Sequence, residues 1–145
     1  MHTFISASSE QTASIASILA KQLTKGDCLF FFGDLGSGKT TFIKTLASIL
    51  TGISSDLIQS PTFQYVHQYD GTIKVCHFDL YRLEHEADFF DLGLDELITD
   101  DAICCIEWSE RLSQNFSKNG ILIKIKPKAD ETREISITLP RDWKE

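Results

Sequence analysis

The segment Gly33-Asp34-Leu35-Gly36-Ser37-Gly38-Lys39-Thr40 sets two glycines, with four residues between them, ahead of Lys and Thr, the pattern of a loop that wraps a phosphate chain. It follows the apolar run Cys28-Leu29-Phe30-Phe31-Phe32 and precedes Phe42, Ile43, Leu46, Ala47 and Leu50, which recur at helical spacing. Strand, glycine-rich bend and helix in that order suit phosphate capture, because the N–H groups of a helix N-terminus face an anion. Asp34, Gly36, Ser37, Gly38, Lys39, Thr40 and Thr41 are therefore the expected nucleotide-binding residues. The glycines let the backbone approach the β-phosphate. Lys39 reaches the β- and γ-phosphates, Thr40 takes a position on Mg²⁺, and Thr41 donates to the α-phosphate. The chemistry implied is capture of a nucleoside triphosphate with its magnesium.

Such a site needs a second acid at the end of a neighbouring strand, to hold Mg²⁺ directly or through water. Two runs supply one: Ile103-Cys104-Cys105-Ile106-Glu107 and Val75-Cys76-His77-Phe78-Asp79. Ligands of open α/β sheets sit at the carboxyl ends of parallel strands, so strand direction decides which acid faces the phosphates. Glu107 is the first choice for the metal, because its strand carries no hairpin signal and is free to lie parallel to 28–32. Asp79 is expected to orient water or the neighbouring loop. Thr62, in Ser60-Pro61-Thr62-Phe63, offers a hydroxyl where a γ-phosphate sensor would lie, and an ordinary turn is the other reading of that segment. His77 reads as a hydrogen-bonded structural histidine.

The elements that must position these residues can be read from periodicity. Ser8-Ser9-Glu10-Gln11 resembles a capping box, and Ile15, Ala16, Leu19, Ala20 and Leu23 form a helical stripe closed by Lys25-Gly26-Asp27. The stretch 51–60 reads as a loop. Strands are expected over 63–69 and 72–78, paired antiparallel through an Asp70-Gly71 turn. One or two short helices, broken near Gly93, should occupy 84–99; a buried strand follows at 102–106, a helix at 109–116, and a closing hairpin at 120–126 and 134–139. The fold class is α/β: one P-loop NTPase-like domain over 1–145, with a mixed sheet flanked by helices.

Composition narrows the partners. The chain has 145 residues and a net charge of −7 with only four arginines, Arg82, Arg111, Arg133 and Arg141. Phosphate neutralisation supplies most affinity for nucleic acid, so independent DNA or RNA binding is not expected. No apolar run approaches the ~20 residues of a membrane span, and the first residues lack a signal-peptide pattern, so a cytoplasmic protein is expected. Cys28, Cys76, Cys104 and Cys105 lie in apolar runs without C-x-x-C spacing and read as buried thiols.

Four ordered motifs, GDLGSGKTT (33–41), SPTF (60–63), HFDLYRL (77–83) and IEWSE (106–110), make the sequence resemble the TsaE family, also called YjeE-type P-loop ATPases. The resemblance covers nearly the whole chain. It implies a small Mg²⁺-dependent ATPase that joins the TsaB and TsaD proteins in threonylcarbamoyladenosine modification of tRNA, with tRNA reached only through the complex. It also implies that Lys39 and Thr40 bind phosphate and Mg²⁺, that Glu107 serves the metal, that Thr62 lies in a switch-like segment and that Asp79 assists hydrolysis. Trp108 would pack nearby, and Glu10, Thr12 and Arg133 would approach the nucleotide. Ser37 stands where the family more often has Ala. A GTPase is disfavoured, since no D-x-x-G follows the loop and the one T-K-x-D string, Thr24-Lys25-Gly26-Asp27, precedes it. A small-molecule kinase is the other enzyme reading, although the acidic 84–101 stretch is no arginine-bearing lid. A non-catalytic module gated by nucleotide is the third.

Overall fold

The computed structural model describes residues 1–34, 36–59 and 64–145. Its strands are His2–Ser6 (β1), Cys28–Phe32 (β2), Val66–Tyr69 (β3), Lys74–Asp79 (β4), Ala102–Glu107 (β5), Ile121–Pro127 (β6) and Arg133–Thr138 (β7). The helices are Ser9–Ala20 (α1), Lys39–Thr51 (α2), Glu86–Asp91 (α3) and Gln114–Ser117 (α4). The strands join in one sheet of order β1-β7-β6-β2-β5-β4-β3. The inner strands β6, β2, β5 and β4 run parallel, while β3 pairs antiparallel with β4, β7 with β6, and β1 with β7. This is the mixed sheet that the sequence implies.

The central strands are unbroken apolar runs because both of their faces are covered. On one face, Ile15 and Leu19 of α1 and Phe42, Ile43, Leu46 and Leu50 of α2 pack on Leu29, Phe31, Ile103, Cys105 and Ile123. On the other, Phe30, Phe78, Cys104 and Ile106 meet Leu80, Leu83, Phe89 and Leu94. Full burial of a side chain such as Phe42 or Leu46 contributes about 1.5–3 kcal/mol. That exceeds the ~1 kcal/mol of an N-terminal cap. Packing therefore holds α2 even though Gly38, at its start, supplies no side-chain cap. The first-turn N–H groups of α2 are left facing the cleft. α1 is capped as expected: Ser8 accepts from the Gln11 N–H at 3.1 Å, and Gln11 Oε1 accepts from the Ala7 N–H, one residue earlier than in a standard capping box.

Several boundaries differ from expectation for identifiable reasons. β1 has no counterpart in the sequence reading; it is a short edge strand, and its alternation is too brief to register. α1 stops at Ala20, and Leu23 reaches the core from the following turn. The expected helix at 109–116 is broken: Ser109–Arg111 is a 3₁₀ turn, and Leu112 is extended so that its side chain drops into the second core. Asp70-Gly71 does not make a two-residue turn. Tyr69 pairs with Val75, and the Thr72 and Ile73 N–H groups donate instead to Thr51 O and Leu50 O at the end of α2. The break near Gly93, at φ 73°, falls between α3 and a 3₁₀ turn at Leu94–Leu97.

Cys76, Cys104 and Cys105 are buried and Cys28 half-buried, all as free thiols. Burial pushes the Cys28 thiol up to about 12, far from thiolate reactivity. Among the described residues no helix is long and apolar enough to cross a membrane.

A β-carbon on Gly71 would fall against the carbonyl and Cβ of Thr51. Gly71→Ala is therefore expected to lower stability by about 1–3 kcal/mol, read as an earlier urea midpoint at unchanged slope.

Candidate active site

β2, β5 and β4 end side by side, and their carboxyl ends carry the loop, Glu107 and Asp79. Gly36 (φ 81°) and Gly38 (φ 104°) turn the loop in the left-handed region that favours glycine. α2 then starts with Lys39 and Thr40. The Thr40 hydroxyl donates to Glu107 Oε1 at 2.7 Å, so the two residues proposed from sequence as metal ligands are already in contact. Asp79 is the register partner of Glu107. Strand direction thus does not separate the two acids as expected, because β4 is antiparallel to β3 on one edge and parallel to β5 on the other. The contact with Thr40 separates them. Asp79 Oδ1 accepts from the Tyr81 N–H at 3.1 Å, and the residue lines the cavity beside the loop.

Lys39 is 4% exposed and turns back on its own loop, donating to the Gly33 carbonyl. Its ammonium lies 3.5 Å from the centre of the Trp108 ring. Desolvation holds its pKa below the usual lysine value, opposed by the charges of Glu110, Glu107, Asp79 and Asp34. Trp108 reaches this position because its backbone leaves β5 in the left-handed region, at φ 59°. Behind it the Tyr81 ring lies 5.0 Å away, and Arg111 covers both rings at 5.8 and 6.0 Å while donating to Tyr81 O. A desolvated cation–π contact contributes about 2 kcal/mol.

The loop divides two cavities. One, of about 420 Å³, is lined by the phosphate-loop residues with Asp79, Tyr81, Glu107, Trp108 and Arg133. The other, about 390 Å³, lies beyond Gly36 and Gly38 and is bounded by Ser8, Thr12, Thr41, Lys128 and Arg133. Arg133 packs on the loop so closely that a β-carbon at Gly38 would stand 3.2 Å from its Nε. Thr12 lines the second cavity, its hydroxyl 2.6 Å from that of Ser6. Glu10 is exposed on α1 and lines neither. Thr62 and the rest of Ser60–Phe63 lie outside the described residues, as does Leu35.

Asp34, Gly36, Ser37, Gly38, Lys39, Thr40, Thr41, Asp79, Glu107 and Arg133 are brought together around one cavity. Ser37 is fully buried, its hydroxyl without a partner among the described residues and 2.7 Å from where a β-carbon on Gly33 would sit. Gly33 is thus required by close approach. Two residues around this site exceed the sequence reading: Trp108, which holds the lysine, and His77, whose Nε2 meets Glu107 Oε2 at 2.5 Å. The spacing of His77 and Asp79, two residues apart on one strand and so on one face, was the available signal.

The donor set fits a magnesium nucleotide. A hydroxyl and a carboxylate oxygen in contact are hard ligands, and uncapped N–H groups with a lysine beside them suit phosphate. No cluster of three His, Cys, Asp or Glu among the described residues could cage a metal. The site instead suits Mg²⁺, which usually keeps water and phosphate oxygens as ligands.

A glycine-rich loop between a central parallel strand and the helix it opens, with an acid ending the next strand, defines the P-loop class of α/β proteins. The profile of the family described as "Threonylcarbamoyl adenosine biosynthesis protein TsaE" matches residues 6–135, and the chain belongs to the TsaE family. It is 40% identical over 130 residues to the tRNA threonylcarbamoyladenosine biosynthesis protein TsaE of Bacillus subtilis, spanning 89% of this chain and 80% of that one. It is 36% identical to the Treponema pallidum protein of the same name over 133 residues, 92% and 97% of the two chains. Its fold matches a crystal structure of Bacillus subtilis YdiB with a TM-score of 0.79 at 33% identity, over 97% of this chain and 86% of that one.

Adding a nucleoside triphosphate should draw Lys39 away from the Trp108 ring. Trp108 emission is expected to change on ATP addition, to do so still in Trp143→Phe, and to stay constant in Lys39→Met.

Proposed function

We propose that this chain is a Mg²⁺-dependent ATPase subunit acting in the cytoplasm, in the threonylcarbamoyladenosine modification of tRNA, together with the TsaB and TsaD proteins. The observation that carries the reading is the Thr40–Glu107 contact beneath the glycine-rich loop, in a chain of the TsaE family. The reaction is hydrolysis of ATP to ADP and inorganic phosphate. A water oxygen bonds to the γ-phosphorus, the bond to the bridging oxygen breaks with its electron pair going to ADP, and the water proton passes to solvent or phosphate.

The backbone N–H groups of Gly36 to Thr41 and the Lys39 ammonium bind the phosphates in this reading. Lys39 exchanges the Gly33 carbonyl and the Trp108 ring for phosphate oxygens, which offer it a stronger charge-assisted bond. Thr40 and Glu107 hold Mg²⁺, which supplies charge neutralisation on the phosphates. Asp79, held by the Tyr81 N–H, orients the attacking water. The Thr62 hydroxyl belongs to the segment that senses the γ-phosphate. Thr12 and Arg133 flank the nucleotide from the second cavity, while Glu10, which lines neither cavity, is given no role. With a net charge of −7, the chain leaves tRNA to its partners.

Mg²⁺-dependent phosphate release should be slow for the chain alone and respond to purified TsaB and TsaD. Transfer of phosphate to a metabolite, indifferent to those partners, would make the protein a kinase. Lys39→Ala should weaken ATP binding about 10–100-fold, the worth of a hydrogen bond to a charged group. Asp79→Ala and Glu107→Ala should slow hydrolysis about 100-fold or more while keeping the nucleotide affinity measured without Mg²⁺. Loss of that affinity with hydrolysis per bound ATP unchanged would contradict the roles given to the two acids.

A further inference from the structure

Both carboxylate oxygens of Glu107 are held, by different elements. Thr40 of α2 donates to Oε1 at 2.7 Å, and His77 of β4 meets Oε2 through Nε2 at 2.5 Å. The second contact is deeply buried, with the His77 side chain at 0% and that of Glu107 at 2% exposure. His77 is the register partner of Cys105, and Asp79 that of Glu107, so the histidine stands one same-face step below the strand ends and reaches up to the acid. Its other ring nitrogen, Nδ1, is buried without a partner among the described residues. The ring proton is therefore assigned to Nε2, where an acceptor waits. An unpartnered buried polar atom is costly, and a Leu or Phe here would avoid that cost. The chain carries a histidine nonetheless, and among the described residues the one bond this ring makes is to Glu107.

We infer that His77 is a positioning residue for the metal site: it fixes the plane of the Glu107 carboxylate so that Oε1 faces Thr40 and the phosphate cavity. The inference rests on the Mg²⁺-ATP reading above. The terminal torsion of a glutamate is broad and two-fold, so a carboxylate held by one oxygen swings about that bond. Anchors on both oxygens, one from the helix and one from the sheet, define the plane. Groups standing behind a metal ligand in this way typically change metal affinity or activity about 10–100-fold when removed.

Two substitutions isolate the bond. In His77→Gln an amide nitrogen reaches about as far as Nε2, while in His77→Asn it stops at the position of Nδ1; both keep a polar side chain on β4. The readout is the affinity for a non-hydrolysable ATP analogue by calorimetry, with Mg²⁺ and with EDTA, whose ratio is the Mg²⁺ increment. His77→Asn should shrink the increment about ten-fold and leave the EDTA affinity unchanged. His77→Gln should restore most of it, and in a Glu107→Gln background neither substitution should matter further. Equal increments in His77→Asn and wild type, or equal loss in the Gln and Asn variants, would overturn the assignment. So would a parallel fall in the EDTA affinity, which marks general damage. A wild-type chain with no increment would sink the Mg²⁺-ATP reading itself, and this assignment with it. The wild type also gives an answer independent of whether any variant folds. In ¹⁵N-histidine spectra the protonated Nε2 of His77 should shift when Mg²⁺ joins the nucleotide complex, and a resonance that does not move would overturn the inference.

Discussion

The parallel pairing of β2 with β5 is the constraint on which the rest depends. Cys28 aligns with Cys104 and Phe30 with Ile106, so the two strands finish together and the chain leaving each one enters the same space. One exit becomes the glycine-rich loop and the other becomes Glu107 and Trp108. Neither strand can move independently, because Phe31 and Cys105 are buried under α1 and α2 while Phe30 and Ile106 are buried under the opposite layer. A one-residue slip would exchange those two sets of side chains between faces. The register that keeps the core apolar is the same register that sets the acid beside Thr40.

The electrostatics of the cleft follow from this placement. An ammonium and three carboxylates, those of Asp34, Asp79 and Glu107, line one cavity, and burial works against the charge on the lysine. The chain answers with local partners: a carbonyl and an indole for Lys39, a hydroxyl and an imidazole for Glu107, a backbone N–H for Asp79. The partners come from the loop after β2, the first turn of α2, and the last residues and exits of β4 and β5. The aromatic pair Tyr81 and Trp108, backed by Arg111, walls the cavity and carries the lysine across apolar surface.

Much of this was legible in the sequence where local pattern and tertiary demand agree. The strand–loop–helix unit was readable because Phe42, Leu46 and Leu50 keep helical period immediately after a five-residue apolar run. The motifs carried the family, and with it the pairing of Thr40 with Glu107. Where reading failed, a tertiary contact overrode a local signal. Asp70-Gly71 has the composition of a tight turn, yet the backbone there serves the end of α2. Ser109 to Phe116 has helical composition, yet the core takes Leu112 and breaks the helix. His77 was seen as structural because a lone histidine in a strand says nothing about which strand lies beside it. The pairing of β4 with β5 supplies that information, and no periodicity encodes it.

The hydrogen bonds from Thr72 and Ile73 to the last carbonyls of α2 give that helix a mechanical character. Its thirteen residues, at about 1.5 Å each, make a rod of about 20 Å whose first turn lines the phosphate cavity and whose last turn is tied to the β3–β4 connection. The end of α2 and the β3–β4 connection are thereby one hydrogen-bonded unit, so the helix that opens at the phosphate cavity is braced at its far end against the edge of the sheet.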